Sequence, residues 1–302
     1  MTRLCDLAEL VRAPAALTVP GDSLAGGASA GWPAGRGWPA GMRSAALPLA
    51  STCLYWAGMA LNDWADREID AVERPERPIP SGRVPAPLAL ATASGLSLAG
   101  LAVAGLAGGP RSLALAGMLA AAVWSYDLAP KQGPLSVMTM ASTRGLDVLL
   151  GASAGGWPAL QRAVAPAALV ALHTAGVTAL SRGEVHGGSV SVAQGSVAAT
   201  SVVAASSAAR ALTAGRSGGG FVPRLVSLAL TGWYAAGVLS AQVAAARTPD
   251  AATVRRATGA GIRGLVPLQS AALAAAGSPG LALGLAASAP VGALAMKRVS
   301  AT

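Results

Sequence analysis

Charge is scarce in this chain of 302 residues: Asp, Glu, Lys and Arg together make up 12%, and only 13 residues are acidic. Soluble domains carry about 25% charged residues, so a water-facing globule is excluded by composition. Aromatics are scarcer still, at 4%, with a single Phe. That shortage excludes a core built on bulky rings and leaves close helix contact through small side chains. The two cysteines, Cys5 and Cys53, lie far apart with neither a CxxC spacing nor a neighbouring His. Neither a zinc site nor a disulfide framework follows from them, and both read as inert thiols. The net charge of +9 is not gathered into a Lys/Arg block interleaved with aromatics, so no nucleic-acid partner is expected. Met1 to Arg12 contains Asp6 and Glu9 and lacks the basic-then-apolar pattern of a secretory leader, so no cleaved signal is expected.

What is abundant is apolar. Hydrophobic residues reach 53%, mean hydropathy is +0.53, and Ala, Leu, Val and Gly dominate. The expected fold is all-α: a polytopic membrane helical bundle of about nine transmembrane helices, forming a single domain over residues 1–302. Runs near 20 apolar residues fall at about 13–32, 45–62, 88–108, 112–128, 134–156, 163–181, 190–212, 223–246 and 278–296. The run at 190–212 is diluted by Ser and Thr, and 264–277 is an extra apolar piece that can extend a neighbour. Polar residues gather after the second, fourth, sixth and eighth runs: the stretch 61–78, Tyr126 to Lys131, Ser181 to His186, and Arg247 to Arg263. Parity puts these four connections on one face of the membrane. The basic residues lean weakly to the same side, which makes it the cytoplasmic one.

Six of the 13 acidic residues, Asp63, Asp66, Glu68, Asp70, Glu73 and Glu76, fall in that first connection. Asn62, Asp63, Asp66 and Asp70 fit N-D-x-x-D-x-x-x-D, and on a helix this spacing crowds all four onto one face over about two turns. A carboxylate at a bilayer centre costs roughly 2.5–3.5 kcal/mol on insertion scales, so the group belongs at the membrane edge or against a polar cavity. Carboxylates with an amide supply hard oxygen donors, and Mg²⁺ is satisfied by a few carboxylates, water and substrate phosphate oxygens. Immediately downstream, Arg74-Pro75-Glu76-Arg77-Pro78-Ile79-Pro80-Ser81-Gly82-Arg83 combines stiffening prolines with arginines suited to bidentate phosphate contact. A solvated mixed-charge loop is the plainer alternative.

N-D-x-x-D-x-x-x-D followed by R-P-x-P-S-G-R-V resembles the first aspartate-rich motif of the UbiA superfamily of intramembrane prenyltransferases. Within it, Leu61 to Val84, Ala179 to Gly188 and Gly261-Ile262-Arg263-Gly264 look most like the EboC-like bacterial branch. The resemblance implies a helical bundle around a cavity open laterally to lipid, in an integral protein of a bacterial plasma membrane with its active-site loops cytoplasmic. It also implies Mg²⁺-dependent transfer of an isoprenyl group from an allylic prenyl diphosphate to a lipid-soluble, usually aromatic acceptor. By that resemblance Asn62, Asp63, Asp66 and Asp70 hold Mg²⁺. Arg77, Arg83, Lys131 and Arg182 contact diphosphate, and Asp63, Asp66, Asp70 and Glu184 form the expected catalytic set.

Two departures stand out. Family members carry a second aspartate-rich motif after the sixth span, whereas this chain reads Ser181-Arg182-Gly183-Glu184-Val185-His186-Gly187-Gly188 there. Glu184 is its only carboxylate; Arg182 can substitute a fixed charge for a metal; His186 is a ligand, a base or part of a polar turn. The family's Y-x-x-x-K is one residue longer here, from Tyr126 to Lys131. A non-catalytic or transport-related member that binds prenyl diphosphate or lipid without turnover is the alternative reading. A CDP-alcohol phosphotransferase is excluded because its D-G-x-x-A-R segment is absent. Of the remaining polar residues, Arg144 and Asp147 (three apart) either line the cavity or form a structural ion pair. Asp22 after Pro20-Gly21 is reachable through a broken helix, and His173 reads as a helix-packing residue before a ligand. The run Gly218-Gly219-Gly220 lacks a following Lys-Ser/Thr and reads as a plain loop.

Overall fold

The computed structural model describes residues 2–13, 19–31, 41–129, 133–214 and 220–288. The described residues are helical, with no β-strand. In chain order the α-helices are α1 (Leu4–Leu10), α2 (Pro20–Ser29), α3 (Leu47–Ala65), α4 (Arg67–Glu73), α5 (Ala86–Gly108), α6 (Pro110–Leu128), α7 (Pro134–Ala152), α8 (Gly156–Ser181), α9 (Val190–Ala214), α10 (Phe221–Arg247) and α11 (Ala251–Ala275). A short α12 (Pro279–Ser288) follows. Proline sits in the first positions of α2, α3, α5, α6 and α7, where its missing N–H costs no helical bond. Between α5 and α6, Gly109 adopts φ +77°, so one residue reverses the chain where a side chain would be strained.

Among the described residues, five helical stretches are long and apolar enough to cross a membrane: Met42–Ala65, Ala86–Gly108, Pro134–Ser181 (which contains both α7 and α8), Val190–Thr213 and Phe221–Arg247. The count of nine is not reached on that measure. Two boundaries also differ from expectation. Arg247 to Arg263 is not a connection: α11 begins at Ala251 and carries Arg255, Arg256 and Arg263 within its first half. The span expected at 278–296 is, over its described part, the ten-residue α12.

Small residues set the helix spacing. The buried positions of α5 are Ala89, Ala93, Ser97, Gly100, Ala104 and Ala107, a stripe at three- and four-residue steps that lies against α3. A Cβ on Gly100 would meet the Leu54 side chain at 2.8 Å. The α2–α7 contact is closer still and is reciprocal. A Cβ on Gly26 would come 1.8 Å from the Val148 carbonyl oxygen, and one on Gly151 would come 1.8 Å from the Ser23 carbonyl oxygen. Both positions require glycine, because backbone meets backbone there. In lipid no hydrophobic force favours one apolar helix contact over another, so such close approach and interhelical hydrogen bonds select the arrangement.

Polar groups reinforce it from within. His173 on α8 bonds through Nδ1 to the Tyr234 hydroxyl of α10 at 2.9 Å and through Nε2 to the Gly261 carbonyl of α11 at 3.0 Å. The carbonyl accepts only, so Nε2 carries the proton and Nδ1 accepts from Tyr234. His173 is thereby a packing residue joining three helices, as its position in an apolar run suggests. A second network ties α2, α3, α7 and α11. Arg144 Nε lies 2.9 Å from Asp22, the other Asp22 oxygen accepts from Gln269 at 2.6 Å, and Asp147 accepts from Ser51 at 2.7 Å. The structural pair thus joins Arg144 to Asp22, 122 residues away in sequence, and not to its near neighbour Asp147.

Candidate active site

The acidic stretch spans the end of α3 and all of α4, with Asp66 as the hinge residue between the two helices. Their faces are brought together by this break, so Asp63 on α3 and Asp70 on α4 are both buried, at 4% and 1% exposure. Two buried carboxylates repel unless a cation lies between them, and here one does. Nη1 of Arg77 donates to Asp70 at 2.5 Å and to Asp63 at 3.2 Å. Arg12 donates to the same Asp63 oxygen at 3.0 Å, and Arg74 stands 3.6 Å from Asp70. The prolines at 75, 78 and 80 interrupt helix and turn the chain back, which is what lets Arg77 reach the helix it has just left.

Four connections meet at this end of the bundle. Asn62 donates to Asp127, the penultimate residue of α6, at 3.0 Å. Arg182, after α8, bonds to Ser136 Oγ at 2.6 Å and to the Gly133 carbonyl, both at the start of α7. Gly188 donates to the Pro249 carbonyl between α10 and α11, and Arg255 donates to the Glu184 carbonyl at 2.6 Å. The polar connections therefore do share one face, as parity requires.

Several expected residues come together and others do not. Asp63, Asp70 and Arg77 form one contiguous group; Asn62, next to Asp63 in sequence, is bonded to Asp127, and Arg182 to the start of α7. Arg83 does not join them. It is bonded to Asp6 at 3.2 Å, to both Glu9 oxygens at 2.5 and 2.8 Å, and to the Glu76 carbonyl. These bonds latch α1 onto the proline-rich loop and hold the Arg83 proton even more firmly than usual, Glu9 being the main cause. The Asp6 carboxyl is held below its ordinary value, first by the Arg3 main-chain N–H and then by Arg83. Glu184 is engaged through its main-chain carbonyl by Arg255 at 2.6 Å. His186 is exposed on the same turn. Lys131, Gly218 and Gly219 lie outside the described residues.

Two participants escaped the sequence reading. Arg12, in the turn after α1 at φ +49°, donates to Asp63 at 3.0 Å. Asp127, only 7% exposed, adds a fourth buried or half-buried acid to the group. Its signal was present in sequence, as a carboxylate beside Tyr126 at the edge of an apolar run.

The donor set is compatible with a divalent cation. Among the described residues no cluster of three His, Cys, Asp or Glu side chains is poised for one. Mg²⁺, however, is held by one or two carboxylates with water and phosphate, and Asp63 and Asp70 already converge on a single cationic nitrogen. A metal held by Asp63 and Asp70 would take the place of Arg77 between them and leave its guanidinium free for an accompanying anion.

The UbiA prenyltransferase family model matches residues 23–258. A digeranylgeranylglyceryl phosphate synthase of Methanothrix thermoacetophila is 57% identical over 49 residues, 16% of this chain and 18% of that protein. The 33 kDa chain of bacteriochlorophyll synthase from Rhodobacter capsulatus is 41% identical over 83 residues, 27% of each. The matched segments thus span under a third of these relatives. A solved structure described for digeranylgeranylglyceryl phosphate synthase in membranes superposes with a TM-score of 0.62 at 18% identity, covering 91% of this chain and 98% of that one, a likeness of fold. With the family's motif at the mouth of the bundle, its model matched over most of the sequence and its fold reproduced, this chain belongs to the UbiA prenyltransferase family.

Proposed function

We propose that this integral membrane protein transfers an isoprenyl group from an allylic prenyl diphosphate to a lipid-soluble acceptor, with Mg²⁺ as cofactor. The observation that carries the reading is the convergence of Asp63 and Asp70 on Arg77, flanked by Arg12 and Arg74, at one end of an apolar bundle. Such a site holds cations and anions side by side, which is what a metal–diphosphate complex demands. Asp63 and Asp70, with Asn62 and Asp66 beside them, are the proposed metal donors. Bound Mg²⁺ would offset charge growing on the leaving diphosphate. Arg77 and Arg12, released from the aspartates, bind the diphosphate oxygens; Arg182 and, by the family resemblance, Lys131 and Arg83 are the further proposed diphosphate contacts. As the allylic C–O bond breaks, its electron pair leaves with the diphosphate, and the allylic cation needs a dry surround, which the apolar helices supply. The acceptor's nucleophilic atom then bonds to that carbon and sheds its proton.

The relatives' names divide between a glyceryl phosphate product and chlorophyll-type products, so the acceptor class is a proposal at the level of a membrane-dissolved molecule. The proposed orientation puts the mouth on the cytoplasmic side. Membranes containing the protein, given labelled geranyl, farnesyl and geranylgeranyl diphosphates with lipid extract, should form a labelled lipid product only with Mg²⁺. Asp66→Asn should abolish it; activity retained in that variant would overturn the assignment of roles. A second reading, diphosphate binding without turnover, is favoured by the connection from Ser181 to Gly188, which carries no aspartate. Saturable, Mg²⁺-dependent diphosphate binding with no product across an acceptor panel would establish it instead.

A further inference from the structure

The outward face of the first half of α11 carries a feature that prenyl transfer does not use. The buried side of its first three turns is Val254, Ala257, Thr258, Gly261 and Gly264; the outward side is Ala252, Arg255, Arg256, Gly259, Ile262 and Arg263. Ala252, Arg255, Arg256, Gly259 and Arg263 line an open pocket of about 390 Å³. Arg263 begins eight residues beyond Arg255, about 12 Å further along the helix axis. Its guanidinium nevertheless turns back toward the polar end, since Nη1 lies 3.2 Å from where a Cβ on Gly259 would be. That is the posture of a cation at membrane depth reaching for the headgroup layer, and the absence of a side chain at 259 makes room for it.

No ion pair among the described residues involves Arg255, Arg256 or Arg263, whereas Arg12, Arg74, Arg77 and Arg83 at the same end are all paired with carboxylates. Asp250 acts on Arg256, but one of its oxygens is bonded to the main-chain N–H groups of Ala252 and Thr253. Arg255 gives one nitrogen to the Glu184 carbonyl and keeps the rest of its fork. Beside the pocket Ile262 is 57% exposed and leaves an apolar flank next to the arginines.

We infer that this pocket binds the phosphate headgroup of an anionic phospholipid in the leaflet on the side of the acidic mouth. Three guanidinium groups around a side-chain-free floor match the oxygens of a phosphodiester, and the open flank beside Ile262 admits its acyl chains. The site is independent of whether the acidic mouth turns over substrate.

The test is native mass spectrometry of the full chain in mild detergent, titrated with phosphatidylglycerol and phosphatidylcholine of identical acyl chains. Wild type should prefer phosphatidylglycerol by at least about tenfold. Each arginine near an anionic headgroup is worth about fivefold, so Arg256→Gln with Arg263→Gln should bring that preference close to parity. Gly259→Leu, which keeps every charge and fills the floor, should weaken it as well. Arg224→Gln, at the opposite end of α10, should not. Equal binding of the two lipids by wild type, or an unchanged preference in both the arginine and the Gly259 variants, overturns the inference. Displacement of the lipid by millimolar inorganic phosphate overturns it too, by making the pocket a site for a free anion.

Discussion

Removing the cation between Asp63 and Asp70 is the sharpest perturbation the mouth offers, and Arg77→Gln does so while keeping most of the side chain's length. In the native arrangement Arg77 supplies one charge-assisted bond of 2.5 Å and one of 3.2 Å to carboxylates whose side chains are 2% and 5% exposed. Breaking a buried pair by removing one partner costs about 3–5 kcal/mol, because the other charge is left unanswered. Here Arg12 stays on Asp63 and Arg74 remains 3.6 Å from Asp70, so a loss just below that range, about 2–3 kcal/mol, is expected. At roughly 2–4 °C per kcal/mol for a chain of this size class, the unfolding midpoint in detergent should fall by about 5–10 °C.

The same geometry says how the loss is repaired. If Asp63 and Asp70 are the metal's donors, Mg²⁺ fills the position the guanidinium vacated. A ligand at a hundred times its dissociation constant stabilises the folded state by about 2.7 kcal/mol, which matches the deficit. Mg²⁺ should therefore raise the midpoint of Arg77→Gln by several degrees and that of wild type by less, since in wild type it must first displace Arg77. Adding Asp70→Asn to Arg77→Gln should abolish the rescue. A midpoint unmoved by Arg77→Gln, or a Mg²⁺ effect that is equal in wild type and variant, would refute the reasoning.

Three further outcomes are expected. Gly151→Ala should prevent normal α2–α7 packing, because its Cβ would fall 1.8 Å from the Ser23 carbonyl oxygen; a loss of at least about 3 kcal/mol, read as a collapsed midpoint or as aggregation on purification, checks this. Tyr234→Phe removes the donor to His173 Nδ1 and should cost about 1 kcal/mol without changing diphosphate binding, measured by thermal unfolding and titration calorimetry. The Asp250 carboxyl caps α11 and is held below its ordinary value, chiefly by the Thr253 main-chain N–H. A group whose folded pKa is depressed stabilises fully above its unfolded value and loses that contribution as pH falls through the folded one. Hydrogen exchange at Ala252 and Thr253, corrected for intrinsic pH dependence, should show weaker protection below about pH 4 than at pH 6, and Asp250→Ala should remove the difference.

What could be read from sequence was local. The i, i+3 and i+4 recurrence of Asn62, Asp63, Asp66 and Asp70 marks a crowded helical face, and the Ala/Gly stripe of α5 announces close packing, because both depend on spacing within one helix. What the sequence hides at the site is partners brought from far along the chain. Arg83 lies near the aspartates in sequence, yet acids 77 and 74 residues away claim it. Arg12 and Asp127 join the group across separations of 51 and 65 residues, which no window along the chain can weigh. The misplacement of α11 has a different cause. Its exposed arginines and its buried Gln269 and Ser270 lower any average hydropathy, although the helix is continuous from Ala251 to Ala275. Averaging over a window discards the face on which each residue lies, and the face is what decides whether a polar residue is tolerated.

The resting mouth is self-neutralised, with arginines on aspartates, and this makes its two proposed ligands dependent on each other. A diphosphate arriving alone must take Arg77 and Arg12 from Asp63 and Asp70, leaving buried acids unpaired. A metal arriving alone must do the reverse. When both arrive, the arginines pass to the phosphates and the aspartates to the metal, and every charge keeps a partner. Coupling of this kind is reciprocal and typically amounts to about 1–3 kcal/mol, or 5–150-fold in affinity. Inorganic diphosphate titrated calorimetrically into the protein should therefore bind at least about fivefold more tightly with saturating Mg²⁺, after correction for the Mg²⁺–diphosphate equilibrium in solution. In Arg77→Gln the aspartates lose their main internal cation, so Mg²⁺ alone should bind more tightly and the coupling should shrink. Tight diphosphate binding that is indifferent to Mg²⁺ in wild type would mean that the arginines are not held by the aspartates in solution, and the exchange would fail as an account of the site.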